Sequence, residues 1–210
     1  MPRAERREQL LEVAQQIVEG EGVGALTMSA LAERAGASKP VVYEHFENSE
    51  AVAVAVLERN LDDLVAFVLE RVENAADIYA YMDLAIDAQF DFHNRHGLIT
   101  RNITSGASSS EIVNRAYLDR RQMAIYVFQG LLEQQGVPRS RSVVAAHALS
   151  EMIGAIVFDF ARGKASSAAR ETLKTMVGGL IRSLGPTPGP KPHTPSISDF
   201  RKRQGRQAGA

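Results

Sequence analysis

Along most of the chain apolar residues recur at spacings of three and four, and no stretch sustains the strict alternation of a half-buried strand. No Asn-Gly or Asp-Gly hairpin turn interrupts that pattern, so it predicts an all-α fold. Between Arg3 and Gly20 the residues Leu10, Leu11, Ala14, Ile17 and Val18 keep one face of a helix, and Gly20-Glu21-Gly22 ends it. Thr27 is placed to cap a second run carrying Met28, Leu31, Ala32 and Ala35, which stops at Gly36. A third short run, Lys39 to His45, opens with Pro40, whose missing amide costs nothing in a first helical turn. From Asn48 or Ser49 as cap, a long helix follows with Val56 or Leu57, Leu61, Leu64, Val65, Val68 and Val72 inward. Helical stretches are then expected over residues 76–96, 109–135, 139–162 and 167–184, separated at Gly97, at Ser105–Ser110 and at Gly136-Val137-Pro138.

Two of these stretches have more apolar surface than a simple amphipathic helix. Residues 143–160 hold thirteen apolar residues in eighteen, which calls for cover on two or more sides. The last helix spaces Leu173, Met176, Val177, Leu180, Ile181 and Leu184 by three and one in turn, with Gly178-Gly179 allowing close approach of another helix. These two helices are expected to build a two-fold homodimer.

Composition narrows the function classes. The chain has 210 residues, 45% of them hydrophobic and 23% charged, and Gly and Pro together number only 24, as in an ordinary folded protein. It has no cysteine, which closes thiol catalysis, thiolate metal sites and disulfides. The charged first eleven residues do not read as a signal peptide, and His147, Glu151 and Asp159 argue against a membrane span in the most apolar window. A soluble, cytoplasmic protein is expected. Residues 186–210 differ from the rest: five prolines lie within ten residues, and five basic side chains face one acid. That tail is expected to be disordered, which gives domains at 1–48, 49–185 and 186–210.

The segment Thr27 to Phe46, TMSALAERAGASKPVVYEHF, places two short helices around a Gly-containing turn, the helix-turn-helix arrangement. In that arrangement the start of the second helix enters the major groove, so Ser38, Lys39, Pro40 and Val41 would meet base edges or the adjoining phosphates. Thr27, Leu31-Ala32, Gly36-Ala37-Ser38 and Val42-Tyr43-Glu44-His45-Phe46 together resemble the TetR family of bacterial regulators. The resemblance implies an N-terminal three-helix DNA-binding module and a C-terminal helical module for ligand binding and dimerisation. It also implies phosphate contacts from Thr27 and Tyr43, groove reading by Lys39 and Val41, and a phosphate or intramodule hydrogen bond at His45. Leu31, Ala35, Val42 and Phe46 are expected in the module core. Where the family often has a lysine, this chain has Ser49, and residues 1–48 carry five basic side chains against eight acids. The module alone should therefore hold DNA weakly, with affinity drawn from two copies and from Arg3, Arg6, Arg7 or the basic tail.

Between the long helix and the last two helices, aromatic and Met side chains alternate with Gln89, His93, Asn94, Gln122 and His147. Such a mixture suits a pocket for a small hydrophobic or aromatic effector, lipid-like acyl compounds among them, and Phe90, His93, Tyr126 and His147 are its candidate lining. The same stripe suits an ordinary core. Asp83, Asp87 and Asp91 fall at four-residue steps beside His93 and His96, which reads as a solvated face rather than a metal cage. No catalytic set, cofactor motif or metal site is expected, and so no enzyme. The partners anticipated are a second copy, double-stranded DNA carrying a palindromic operator, and the effector, with repression as the mode. The alternative is an architectural or cell-cycle DNA-binding factor of the same fold that recruits a protein and binds no small ligand.

Overall fold

The computed structural model describes residues 2–97, 99–104, 110–185 and 191–195. Among the described residues there are helices and connecting turns and no strands. In chain order they are α1 (Arg3–Glu21), α2 (Met28–Arg34), α3 (Lys39–Tyr43), α4 (Ser49–Val72), α5 (Ile78–His96), α6 (Ile99–Thr104), α7 (Glu111–Gln134), α8 (Arg139–Phe160) and α9 (Ser166–Ser183). Local chemistry sets the ends. Asn48, rather than Ser49, caps α4 by accepting the Ala51 amide at 2.8 Å, and Asp77 does the same for α5 through Ala80 at 2.9 Å. Ser110 caps α7 through the Val113 amide. Residues 105–109, the rest of the expected break, lie outside the described residues.

The chain divides into two compact units that do not follow its order: Met1–Asp63 with His96–Asp119, and Leu64–Arg95 with Arg120–Ala210. The division falls inside α4 and α7 and before the last residue of α5. In the first unit Leu10, Ile17, Leu31, Val42 and Leu57 are fully buried in one apolar cluster, joined by Ile99 and Ile103 from α6. The periodicity of residues 1–72 anticipates the first five of these, but it does not anticipate α6. That helix is six residues of mostly β-branched or polar type, too short to be stable alone. Burial of its two isoleucines, about 1.5–3 kcal/mol each, outweighs a propensity deficit of a few tenths of a kcal/mol per residue.

A buried polar contact fixes α6 in place. Asn60 of α4 and Thr100 of α6 are 3% and 8% exposed, and the Thr100 hydroxyl donates to Asn60 Oδ1 at 3.1 Å. Asn102 adds a bond from its side-chain amide to the carbonyl of Val18. Because a buried acceptor that loses its donor retains its desolvation penalty, Thr100→Val is expected to cost about 1–3 kcal/mol, read as a lower urea midpoint at unchanged m. Thr100→Ser keeps the hydroxyl and should recover most of that loss.

In the second unit the core gathers Tyr81, Met82, Ile86 and Phe90 of α5, Leu131 and Leu132 of α7, Leu149 and Ile153 of α8, and the stripe Leu173, Val177, Ile181 of α9. Asp87 and Asp91, expected on a solvated face, are half-buried and clasped by cations. Arg170 reaches Asp91 at 2.7 Å, Lys174 reaches Asp87 at 2.8 Å, and Arg71 lies 3.5 Å from Asp91. Partial burial pulls the Lys174 ammonium down, but the hydrogen bond and charge of Asp87 outweigh it and hold its pKa above the ordinary value. Asp83 stays exposed on the same helix.

Within the tail expected to be disordered, residues 191–195 lie against α5 and α7 through side-chain and backbone hydrogen bonds. Proline density removes amide donors, but His193 retains both its amide and its carbonyl for pairing. The remainder of 186–210 lies outside the described residues.

Candidate nucleic-acid interface

The turn between α2 and α3 follows from Gly36. Its φ of +60° is a left-handed value that residues with a Cβ rarely adopt, and it lets the Ala37 amide return to the Ala32 carbonyl at 2.9 Å. Leu31, Ala35, Val42 and Phe46 are buried beneath it, as the sequence predicts for a module core. With these four inside, the remaining faces of α3 point outward: Ser38, Lys39, Pro40 and Tyr43 are exposed, and Val41 and His45 are half-exposed. Tyr43 stands out, being a large aromatic side chain 55% exposed on a five-residue helix.

Thr27 caps α2 by accepting the Ala30 amide at 3.1 Å. Its hydroxyl hydrogen is not used by that bond and can still be donated to an acceptor outside the module. Ser38 sits at the N-cap of α3 without a side-chain cap bond, so its hydroxyl is likewise uncommitted there. Thr27 and Ser38 thus occupy the N-caps of two adjacent short helices, and Lys39, Pro40 and Tyr43 on the second are exposed beside half-exposed Val41.

Three of the module's five basic side chains, Arg3, Arg6 and Arg7, come from α1, outside the helix-turn-helix. Arg3 and Arg7 of α1 donate to the carbonyls of Glu44 and His45 at 3.2 and 3.1 Å, and the Arg7 guanidinium lies 4.3 Å over the Phe46 ring. The end of α3 that holds Tyr43 and His45 therefore also holds two guanidinium groups. For His45 the structure records the backbone carbonyl as the bonded group, and its ring is half-exposed. Arg34 is committed elsewhere: its ion pair with Glu21 at 2.6 Å holds the Glu21 carboxyl below its ordinary range. Loss of the Arg7 bond and its stacking should destabilise the module by about 1–2 kcal/mol in Arg7→Ala, measured by urea unfolding. Arg7→Lys restores charge without the planar stack and should fall between the two.

The four effector candidates differ in burial. Phe90 is fully buried within the second unit's core, with Arg170 over its ring at 5.2 Å. His93 is buried, edge-on to Phe92, while Tyr126 is half-buried. His147 lies on an exposed face of α8, where its Nδ1 is 2.9 Å from the Val143 carbonyl. Among the described residues, two open grooves are lined by charge. One of about 470 Å³ runs beside Arg7, Glu8, Glu58, Arg59, Asp62 and Asp63, and one of about 580 Å³ beside Asp87, Lys164, Arg170, Glu171 and Lys174. None of the four candidates lines either groove.

α8 is long and apolar enough to cross a membrane by length and composition, with only 28% of its most apolar window buried. Its inward stripe, Ala145, Ala146, Leu149, Ile153 and Val157, is a core face of the second unit. The opposite face leaves Val144 69% exposed and presents Ala148, Gly154, Ala155 and Phe160 to solvent. On α9, Met176 is 47% exposed.

Comparison with known proteins agrees with this arrangement. A family profile described as "Bacterial regulatory proteins, tetR family" matches residues 10–56. The HTH-type transcriptional activator FasR of Mycolicibacterium smegmatis is 39% identical over 99 residues, covering 46% of this chain and 45% of that protein. An HTH-type transcriptional regulator of Staphylococcus aureus strain MRSA252 is 22% identical over 113 residues, covering 54% of this chain and 61% of that protein. The chain thus spans from just under half to three-fifths of the length of these curated relatives. A TetR-family transcriptional regulator from Streptomyces coelicolor shares the fold, with a TM-score of 0.72 at 20% identity over 86% of this chain and 96% of that one. Helix-turn-helix and sequence match together identify the N-terminal part of the chain, residues 10–56, with the DNA-binding domain of the TetR family of bacterial regulatory proteins, and the chain as a whole shares the fold of such a regulator.

Proposed function

We propose that the protein is a dimeric, sequence-specific DNA-binding regulator of transcription, soluble in the cytoplasm, that acts on a palindromic operator and is a binding protein rather than an enzyme. The observation that carries the reading is the outward face of α2 and α3. Its core residues are all buried, so Thr27, Ser38, Lys39, Pro40, Val41, Tyr43 and His45 are left as the surface offered to a groove about 12 Å wide. Thr27 and Tyr43 serve as phosphate contacts, Lys39 and Val41 as groove readers, and Arg3 and Arg7 add charge at the end of α3. The domains assigned are 1–48 for DNA, 49–185 for effector and dimer contacts, and 186–210 as a basic tail.

The exposed apolar face of α8, with Met176 of α9, is assigned to a second copy. Two copies supply two recognition helices, as a palindromic site requires, and compensate the thin charge of each module. The mode proposed is repression relieved by a small hydrophobic effector, with Phe90, His93, Tyr126 and His147 as starting positions for mapping its contacts. The relative FasR is named an activator, so a promoter-reporter assay is to be read for both signs.

A second reading is favoured by one observation: Phe90 is fully buried and the two open grooves are lined by charge. A regulator of that kind would recruit a protein partner and bind no small ligand. Electrophoretic mobility shift on the recovered operator, repeated across a panel of acyl and aromatic compounds, separates the two. Release by a compound that also shifts the protein's Tm supports the effector reading, and compounds that bind without changing operator affinity contradict it.

A further inference from the structure

Gly130 sits in the interior of α7, where glycine costs about 1 kcal/mol relative to alanine. Backbone conformation does not explain it, since Gly130 is not among the glycines of positive φ. Space does: a Cβ built there would lie 2.5 Å from Cγ of Pro195. One turn along the same face, Gln134 makes a reciprocal pair with one backbone residue, its Nε2 donating to the His193 carbonyl at 2.7 Å and its Oε1 accepting the His193 amide at 2.9 Å. From α5, the Tyr81 hydroxyl meets the Thr194 hydroxyl at 2.7 Å. Three successive residues of the tail thus each meet a matched partner.

We infer that Gly130, Gln134 and Tyr81 form a built seat for the chain's own segment His193-Thr194-Pro195, which acts as a strap closing the face of the second unit between α5 and α7. The amide of Gln134 reads backbone alone, whereas the missing side chain at 130 admits the proline ring, so the seat selects an extended segment ending in proline. Tyr81 is 3% exposed with its hydroxyl bonded to the strap, and it belongs to the same apolar cluster as Phe90 and Leu131. Undocking the strap uncovers that side of the core and gives an apolar molecule a route to it. The inference stands on contacts within the second unit and does not depend on the DNA-binding reading.

The test is amide hydrogen exchange on the full-length chain, with Gly130→Ala and Gln134→Ala, and with Gly20→Ala as a control at a helical glycine that has open space around it. In the unsubstituted chain the His193 amide is expected to exchange at least about tenfold more slowly than in a free peptide, at the same rate at low and high protein concentration. Both variants should lose that protection and raise exchange around Tyr81, and both should increase binding of the apolar fluorophore anilinonaphthalene sulfonate several-fold. Gly20→Ala should do neither. Free exchange of residues 191–195 in the unsubstituted chain, or protection unchanged in both variants, overturns the seat. Protection that grows with protein concentration overturns its intramolecular character, and unchanged fluorophore binding with the strap released overturns its role as a cover. If one variant fails to fold, the other decides.

Discussion

Lys39→Ala is expected to weaken operator binding by roughly thirtyfold or more while leaving the unfolding midpoint in place. Lys39 is exposed at the first turn of α3 and makes no ion pair among the described residues, so its removal breaks no ion pair of the fold. A dimer loses the side chain twice, and each contact to a base edge is worth about 1–3 kcal/mol. Two such losses multiply, which is why this is among the largest effects the account predicts. The salt dependence gives a second reading. If each Lys39 also neutralises a phosphate, the slope of log K against log salt should fall by about two, at ~0.9 per phosphate. Tyr43→Phe removes a neutral hydroxyl donor and should weaken binding with no change of slope. Equal operator affinity in the unsubstituted and Lys39→Ala proteins, measured by fluorescence anisotropy at two salt concentrations, would remove α3 from the groove.

Gly154→Leu is expected to turn the dimer into a monomer without unfolding it. Among the described residues a Cβ at Gly154 meets nothing within 4 Å, and the residue is exposed in the C-terminal half of α8. A glycine there gives up about 1 kcal/mol of helix propensity relative to alanine, and none of the described residues requires it. A second copy packed on the face of Val144, Ala148 and Ala155, as proposed, would require it, because a side chain at 154 would hold the two helices apart. The substituted chain should therefore show an unchanged or higher Tm as a monomer, half the mass in sedimentation, and an operator affinity lower by about 10²–10⁴-fold as the second half-site is lost. A leucine variant that stays dimeric and binds the operator as before would move the interface elsewhere.

How much of this was readable in the residues depends on where the information lies. Helix periodicity is local, so α1 to α3 and their core could be read from Leu10, Ile17, Leu31 and Val42, all of which are fully buried. The turn was readable because Gly36 has a conformational reason to be there. α6 was not, since Ile99-Thr-Arg-Asn-Ile-Thr forms a helix only once its two isoleucines are buried against α1 and its neighbours. Nor could four-residue spacing reveal that Asp87 and Asp91 face Arg170 and Lys174, some eighty residues away in sequence. His147 was a pocket candidate because it is one of the polar residues interleaved with the aromatic and Met stripe, and periodicity alone does not say which side of a helix faces solvent: the structure places it on an exposed face of α8. The seat for Pro195 escaped for a related reason: a glycine and a glutamine one turn apart mean nothing until the chain returns to them.

The claim on which the rest depends is that two copies of α3 read a defined sequence together. Capture of sheared genomic DNA from the source organism by the purified full-length protein, at low and near-physiological salt and followed by sequencing of what is retained, tests it most directly. The account predicts a small set of recovered sites sharing a palindrome with half-site centres about one helical turn, 34–36 Å, or a multiple of it, apart, and enrichment that survives the higher salt. Retention that disappears with salt and shows no shared sequence would contradict it, and would mean that the eight acids of residues 1–48 outweigh the helix-turn-helix they surround.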